Sequence, residues 1–346
     1  MIVMMDLWNY LKNTDKKIVL YGIGNGADKI IKVLENYGIE FHGVFATDGF
    51  VRDKIFHGFH LSTYKELKEQ FPDMIVLLCF GSAREEVFLN VQKIMAQDEF
   101  FAPDVPVYGE NLFNIEFVRA NKDKLLKVYN CLADDLSKKT FECVVRFKLT
   151  GDVRYLFECE TDENEPYESF LKLSDNEIFA DFGAYRGDTV EDFLSRVPSY
   201  EKIYAVEPDI KTFKKLTAAL EGTENIVSVN ACVSSFDGVT EFSMSGSRGS
   251  TASKGQDIVT AITMDTLLKE GVTFIKMDVE GNEAPAIDGG KNIILQYKPK
   301  MLISCYHRSE DIFDLPLRVC GVRDDYKIYM RHFKSLPAWD TCYYFI

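Results

Sequence analysis

Three acidic residues of this 346-residue chain stand at the ends of apolar, strand-like runs, where a side chain can meet a ligand without leaving a rigid element. In EIFADFGAYRGDT, Asp181 closes the first run, and Gly183 and Gly187 permit a tight turn into a helix, a loop that lets a ligand approach the backbone. Twenty residues after Gly187, the run KIYAVEP ends in Glu207, where a carboxylate can accept hydrogen bonds from both hydroxyls of a ribose. Together they describe a nucleoside site. The nucleoside itself stays open, because a dehydrogenase fingerprint shares the glycine loop and the acid. Further on, IKMDVEGNE sets Asp278, Glu280 and Glu283 at and just beyond a third run, at the sheet edge where open α/β folds bind ligands. Carboxylates there suit a cationic ligand.

Those positions require a strand and helix alternation, and the chain supplies it twice. From Lys16 the order is KKIVLY, the turn GIGNGA, the helical DKIIKVLENYG and the strand FHGVFATD, followed by the buried run MIVLLCF. Prolines and a glycine between Phe101 and Asn114 mark the end of this unit. Residues 115–175 read as a helical connector, containing DKLLKVYNCLADDLSKK and the acidic TDENEPYES. A second α/β register begins at Glu177 and runs through DTVEDFLSRV, KIYAVEP, IKTFKKLTAAL and NIVSVNACV to the strands TFIKMDVEG, PKMLISCYH and the aromatic tail. Glycines and serines between Phe236 and Ile262 point to hairpin and loop. The expected organisation is therefore a smaller Rossmann-like α/β domain at 1–114, a connector at 115–175 and a second doubly wound domain at 176–346.

The motifs DFGAYRGDT, YAVEPD, TMDTLL, IKMDVEGNEAPAIDGG and ISCYH, in this order and spacing, resemble the FkbM family of S-adenosylmethionine-dependent methyltransferases. The resemblance covers roughly Asn176 to the C-terminus. It implies a class I methyltransferase fold, a mostly parallel seven-stranded sheet whose last strand is antiparallel, with S-adenosylmethionine as cofactor. Asp181, Gly183 and Gly187, with Ala184 between them, would surround its methionine part, and Glu207 its ribose. Asn230 and Cys232 would lie beside the adenine, and Asp278 would face the amino or sulfonium end. Glu280 and Glu283 would lie near the acceptor. Where many relatives carry a Glu in the strand after the proline-lysine turn, this chain reads ISCYH, which brings Tyr306 and His307 forward as acceptor-side groups. The implied reaction is O-methylation of a hydroxyl on a sugar, a glycan or another small acceptor, with Asp278, Glu280, Glu283 or His307 taking the proton.

In the first unit, Gly22, Gly24 and Ala27 fit G-x-G-x-x-[GA], and Asp48 closes the next strand where a ribose-binding acid belongs. The unit resembles the small Rossmann-like modules attached to sugar-modifying enzymes. A nucleotide-sugar or a dinucleotide are both candidate ligands, and an empty scaffold or a dimerisation module giving a homodimer is the competing reading. Two other functions compete for the whole chain: an NAD(P)-dependent oxidoreductase using the first fingerprint, and a non-catalytic cofactor-binding protein on a methyltransferase fold.

Composition narrows the partners. A formal charge of −14 argues against a broad nucleic-acid or anionic-membrane footprint. The eight cysteines lack paired short spacing, so they read as reduced core thiols, and no constellation demands a metal. The N-terminal MIVMMDLWNYLKN has neither a basic leader nor a membrane-length apolar run, and a cytoplasmic location is the default expectation.

Overall fold

The structure is a computed structural model that describes residues 5–47, 49, 54–242 and 257–346. Strands β1 (Lys17–Tyr21), β2 (Gly43–Phe45), β3 (Ile55–Phe56), β4 (Phe59–Ser62), β5 (Met74–Leu78) and β6 (Glu99–Phe101) form the first sheet, in the order β3-β4-β2-β1-β5-β6. All neighbours are parallel except the β3–β4 hairpin at one edge. Parallel pairs need crossover helices on the faces, which is why β5, MIVLL, is buried at every position. The helix Asn25–Tyr37 provides one crossover, and Gly38 ends it in the left-handed conformation. The β3–β4 hairpin and β6 lie beyond the sequence reading. They are two to four residues long, too short for periodicity to single out.

The second sheet contains β7 (Ile178–Phe182), β8 (Lys202–Val206), β9 (Ile226–Val229), β13 (Phe274–Met277), β14 (Lys300–Ser304), β15 (Ile328–His332) and β16 (Thr341–Phe345). Their order is β15-β16-β14-β13-β7-β8-β9. β16 runs antiparallel to both neighbours and the other pairs are parallel, the mostly parallel seven-stranded sheet expected for the second unit. The intervening β10 (Cys232–Val233), β11 (Gly238–Phe242) and β12 (Asp257–Ile262) make a separate three-stranded sheet. The chain therefore leaves β7 toward β8 on one side, and β13 lies on the other, which opens a crevice at the carboxyl ends of β7, β8 and β13.

The helical segment between the sheets is more than a tether. Val128, Phe141, Val144, Phe147 and Leu156 belong to one apolar core that also holds Tyr21 and Val76 of the first sheet and Met277 and Tyr343 of the second. The segment also covers the edge of the second sheet. Ala133 N donates to the Ile328 carbonyl at 2.8 Å and Thr161 N to the His332 carbonyl at 2.9 Å, so the outer backbone of β15 is paired. On the same strand the buried Arg331 guanidinium grips Glu165 at 2.6 and 3.0 Å and Asp134 at 2.8 Å. This forked pairing fixes helix against strand. None of the eight cysteines is bridged, and six are buried; Cys131 is exposed and Cys320 only partly covered. Among the described residues no helix is long and apolar enough to cross a membrane.

Candidate active site

Asp181 faces inward near the end of β7 and is fully buried. Its cross-strand neighbour on β13 is Lys276, whose Nζ lies 3.3 Å from Asp181 Oδ1 and 3.2 Å from the Gly183 carbonyl that accepts from it. Burial raises the Asp181 carboxyl, with Lys276 opposing it. Burial by itself would lower the Lys276 ammonium, but Asp181 and Asp278 outweigh it and raise it above its ordinary value. Neither oxygen of Asp181 accepts a hydrogen bond. A buried carboxylate with open lone pairs at a glycine turn is a place where a ligand donor would complete an unfinished set.

The turn itself is built for close approach. Gly183 has φ +81°, and a Cβ there would stand 1.9 Å from the Asp278 carbonyl oxygen. The amides of Gly183 and Ala184 both donate to the Val206 carbonyl at 3.0 Å, which ties this loop to the end of β8. Gly187, at φ +96°, starts the helix Asp188–Arg196. Glu207 follows β8 directly. Its Oε2 accepts from the Tyr185 amide at 3.1 Å and its Oε1 from the Asp209 amide at 2.9 Å. Burial pushes the carboxyl up to about 7, against the pull of those two amides. Each oxygen keeps a lone pair for a further donor.

The expected adenine residues divide. Asn230 spends its amide on the Glu207 and Pro208 carbonyls, at 2.8 and 3.0 Å, and so shapes the turn that carries Glu207. Cys232 is buried in β10, with Asn282 Nδ2 3.5 Å from its sulfur.

At the ends of β13 and β14 the chain gathers five of the expected groups. Asp278 follows β13, and the Tyr306 hydroxyl donates to it at 3.2 Å from each carboxylate oxygen. His307, wholly buried beyond β14, has Nε2 at 3.4 Å from Asp278 and 3.6 Å from Glu280. Its Nδ1 lies 2.9 Å from Glu283 Oε1, an ion-pair distance without hydrogen-bond alignment. Glu283 Oε1 also accepts from the Val279 amide at 3.0 Å and the Gly281 amide at 3.4 Å, while Oε2 is buried without a partner. Burial would lower the imidazole, but Glu283, Asp278 and Glu280 raise it to about 9. The surrounding carboxylates therefore favour its protonated form at neutral pH, which suits it poorly to taking a proton. Burial raises the Glu280 carboxyl.

Residues 181–326 match the family described as the methyltransferase FkbM domain. A crystal structure described as methyltransferase FkbM from Methylobacillus flagellatus KT superposes on 96% of this chain and 90% of its own, with a TM-score of 0.76 and 23% identity, a likeness of fold. Two others overlap on about half the chain: a fibrillarin from Aeropyrum pernix with natively bound S-adenosyl-L-methionine (TM-score 0.34, 15% identity, 51% of this chain and 70% of that one) and a precorrin-6y C5,15-methyltransferase from Geobacter metallireducens GS-15 (0.34, 14%, 51% and 80%). No curated protein sequence matches the chain.

Three groups at this site escaped the sequence reading. Lys276 is one, and its signal was present: a charge inside the otherwise apolar strand FIKM. Tyr108 and Lys29 are the others, and both come from the first unit. The Tyr108 amide donates to the His307 carbonyl at 2.9 Å, and its ring packs where a Cβ on Gly281 would stand. Lys29 Nζ donates to the Pro106 and Val107 carbonyls at 3.2 and 2.7 Å and so holds that segment in place. The prolines of this stretch signalled only an irregular chain; its seat beside the site depends on contacts nearly two hundred residues apart in sequence.

Of the first-unit candidates, Gly22, Gly24 and Ala27 do form a turn and helix start, with φ +102° at Gly22 and +109° at Gly24 and a buried Ala27. Asp48 lies outside the described residues.

Proposed function

We propose that this protein is an S-adenosylmethionine-dependent O-methyltransferase whose acceptor is a hydroxyl of a sugar, a glycan or another small hydroxylated molecule. The supporting observation is that two buried carboxylates, Asp181, ion-paired with Lys276 but without an aligned hydrogen bond, and Glu207 with spare lone pairs, sit at the ends of adjacent strands around a glycine turn. That set fits a ligand with an ammonium and a ribose diol. When bound, S-adenosylmethionine supplies a sulfonium methyl group that a nucleophilic oxygen can take.

The chain's own residues would then do two things. Gly183 and Gly187 let the backbone close around the methionine part, while Glu207 accepts from the ribose hydroxyls and Asn230 holds the Glu207 turn. Asp278 or Glu280 receives the acceptor's hydroxyl proton, since His307 already carries one. Glu283 and His307 keep that carboxylate pair oriented.

Calorimetry with S-adenosylmethionine, S-adenosylhomocysteine, NAD and a nucleotide-sugar panel tests the cofactor, and transfer of labelled methyl to a hydroxylated acceptor panel tests the reaction. Sulfur-cofactor binding with label in an ether linkage is expected. Binding of NAD with no response to either sulfur cofactor would sink the proposal in favour of an oxidoreductase, and cofactor binding without transfer to any hydroxyl would remove the O-methylation.

A further inference from the structure

The last segment of the first unit runs beside the loop that follows β14, and three hydrogen bonds join the two. The Tyr108 amide donates to the His307 carbonyl at 2.9 Å, the Ser309 hydroxyl to the Asn111 carbonyl at 2.6 Å and Asn111 Nδ2 to Glu310 at 3.4 Å. Tyr108 thereby covers the turn that carries Glu280. A Cβ on Gly281 would stand 3.0 Å from its ring, whose centroid is 6.2 Å from that of His307. Glu280 itself holds φ +55°, a left-handed conformation that is rare for a residue with a side chain and clusters at functional sites.

Two cations border this tyrosine, and among the described residues neither has an ion pair. Arg308 Nε donates to the Gly281 carbonyl at 2.9 Å, and Nη1 lies against Gly109, where a Cβ would stand 3.2 Å away. That seats the guanidinium between the units, while Nη1 and Nη2 donate to no described residue. Lys29 gives two of its three protons to the Pro106 and Val107 carbonyls. Burial lowers its ammonium and the Glu280 carboxylate opposes the shift, so Lys29 also borders the turn. The Tyr108 hydroxyl has no hydrogen-bond partner among the described residues; burial raises it, Glu280 and Glu283 raise it further and Arg308 lowers it. The open groups are therefore donors, next to Asp278 and Glu280 carboxylates that are 32% and 42% exposed. Lys29, Arg308 and protonated His307 offset Asp278, Glu280 and Glu283, so an anion brought here is not repelled.

We infer that the acceptor site is shared between the units: the Arg308 fork and the Tyr108 hydroxyl bind an oxyanion, a phosphate or a carboxylate, that the acceptor carries beside the hydroxyl it presents to Asp278 or Glu280. A guanidinium fixed through Nε offers its two remaining nitrogens in a geometry that matches two oxygens of either anion. Lys29 positions the Tyr108 segment and adds positive charge. The role of Asp278 and Glu280 rests on the O-methyltransferase reading, whereas the oxyanion seat stands on the geometry around Tyr108.

The test titrates the full chain by calorimetry, with and without S-adenosylhomocysteine, using inorganic phosphate and matched panels of sugar phosphates, uronic acids and neutral sugars, and follows labelled methyl transfer to the same panels. The anionic members of at least one panel should bind about 10-fold or more tightly than their neutral counterparts, and the tighter panel identifies the anion. Arg308→Gln should abolish that preference, Arg308→Lys should keep part of it, and Tyr108→Phe should weaken the anionic members by about 3-fold or more. Thermal melting and the S-adenosylhomocysteine affinity of each variant establish that it is folded, and the wild-type preference is read without any variant. Equal binding of anionic and neutral members, or no binding of the anionic ones, overturns the inference, as does a preference that Arg308→Gln leaves intact. If methyl reaches a hydroxyl with no preference for an anion, the oxyanion seat fails and the methyltransferase reading stands; if the anion binds through Arg308 and no hydroxyl is methylated, the reverse holds.

Discussion

The two glycine turns of this chain share a backbone and differ in chemistry. Gly22 N donates to the Phe45 carbonyl at 2.8 Å as Gly183 N donates to Val206 at 3.0 Å, and Cys79 N donates to the Tyr21 carbonyl at 2.9 Å as Asp278 N donates to Phe182. Strand register makes the correspondence residue by residue. Leu20 stands opposite Leu77 in the first sheet, where the second pairs Asp181 with Lys276. Ala46 and Cys79 follow β2 and β5 as Glu207 and Asp278 follow β8 and β13. Among the described residues the first turn is thus an apolar version of the second. A glycine loop establishes that the chain can turn there; only polar groups at the strand ends make it a site.

The largest expected effect comes from breaking the buried pair on one side. Lys276→Leu leaves Asp181 buried and uncompensated and should cost about 3–5 kcal/mol in urea denaturation, whereas Asp181→Leu with Lys276→Leu, which copies Leu20 and Leu77, should restore most of it. The double variant should fold yet fail to bind S-adenosylhomocysteine. If the single variant is as stable as wild type, the pair is not the constraint described above.

Gly183→Ala should come next, at about 3 kcal/mol, because the added carbon meets the Asp278 carbonyl and the backbone is left-handed. Thermal melting measures it, and a loss under about 1 kcal/mol would mean the turn relaxes freely. Glu207→Ala, which copies Ala46, should weaken S-adenosylhomocysteine by about 1.5–3 kcal/mol, as charged hydrogen bonds are lost. Unchanged affinity would remove Glu207 from the site.

The pH dependence of binding sharpens the same point. Burial holds the Glu207 carboxyl at about 7, so it is mostly ionised above that pH and mostly protonated below it. Affinity should fall about tenfold from pH 8 to pH 6, following the ionised fraction, and Glu207→Gln should flatten the profile. A wild-type profile flat across that range would exclude the carboxylate as the ribose acceptor. The smallest effect is expected at the first turn: Gly24→Ala, with nothing within 4 Å of the added carbon, should cost about 1 kcal/mol from its positive φ and leave cofactor affinity unchanged.

Much of this was legible in the residues. Apolar runs such as MIVLL and FADF, glycines at the turns and acids at strand ends follow from local rules of burial and backbone geometry, so two α/β units and the places of Asp181, Glu207 and Asp278 could be read directly. Short pieces such as β3, β4 and β6 were not, since two to four residues carry no period. Nor was the state of His307. Its type and position at a strand end suggested a base, but three carboxylates from the β13–β14 region surround it and keep its proton in place. Tyr108 and Lys29 reach the same region from the first unit only because the chain folds back over the second sheet. Sequence by itself determined which residues could carry charge at the sheet edge; tertiary structure alone decided which charges meet, because pairing, burial and the pKa values they shift depend on distances across strands that no local pattern encodes.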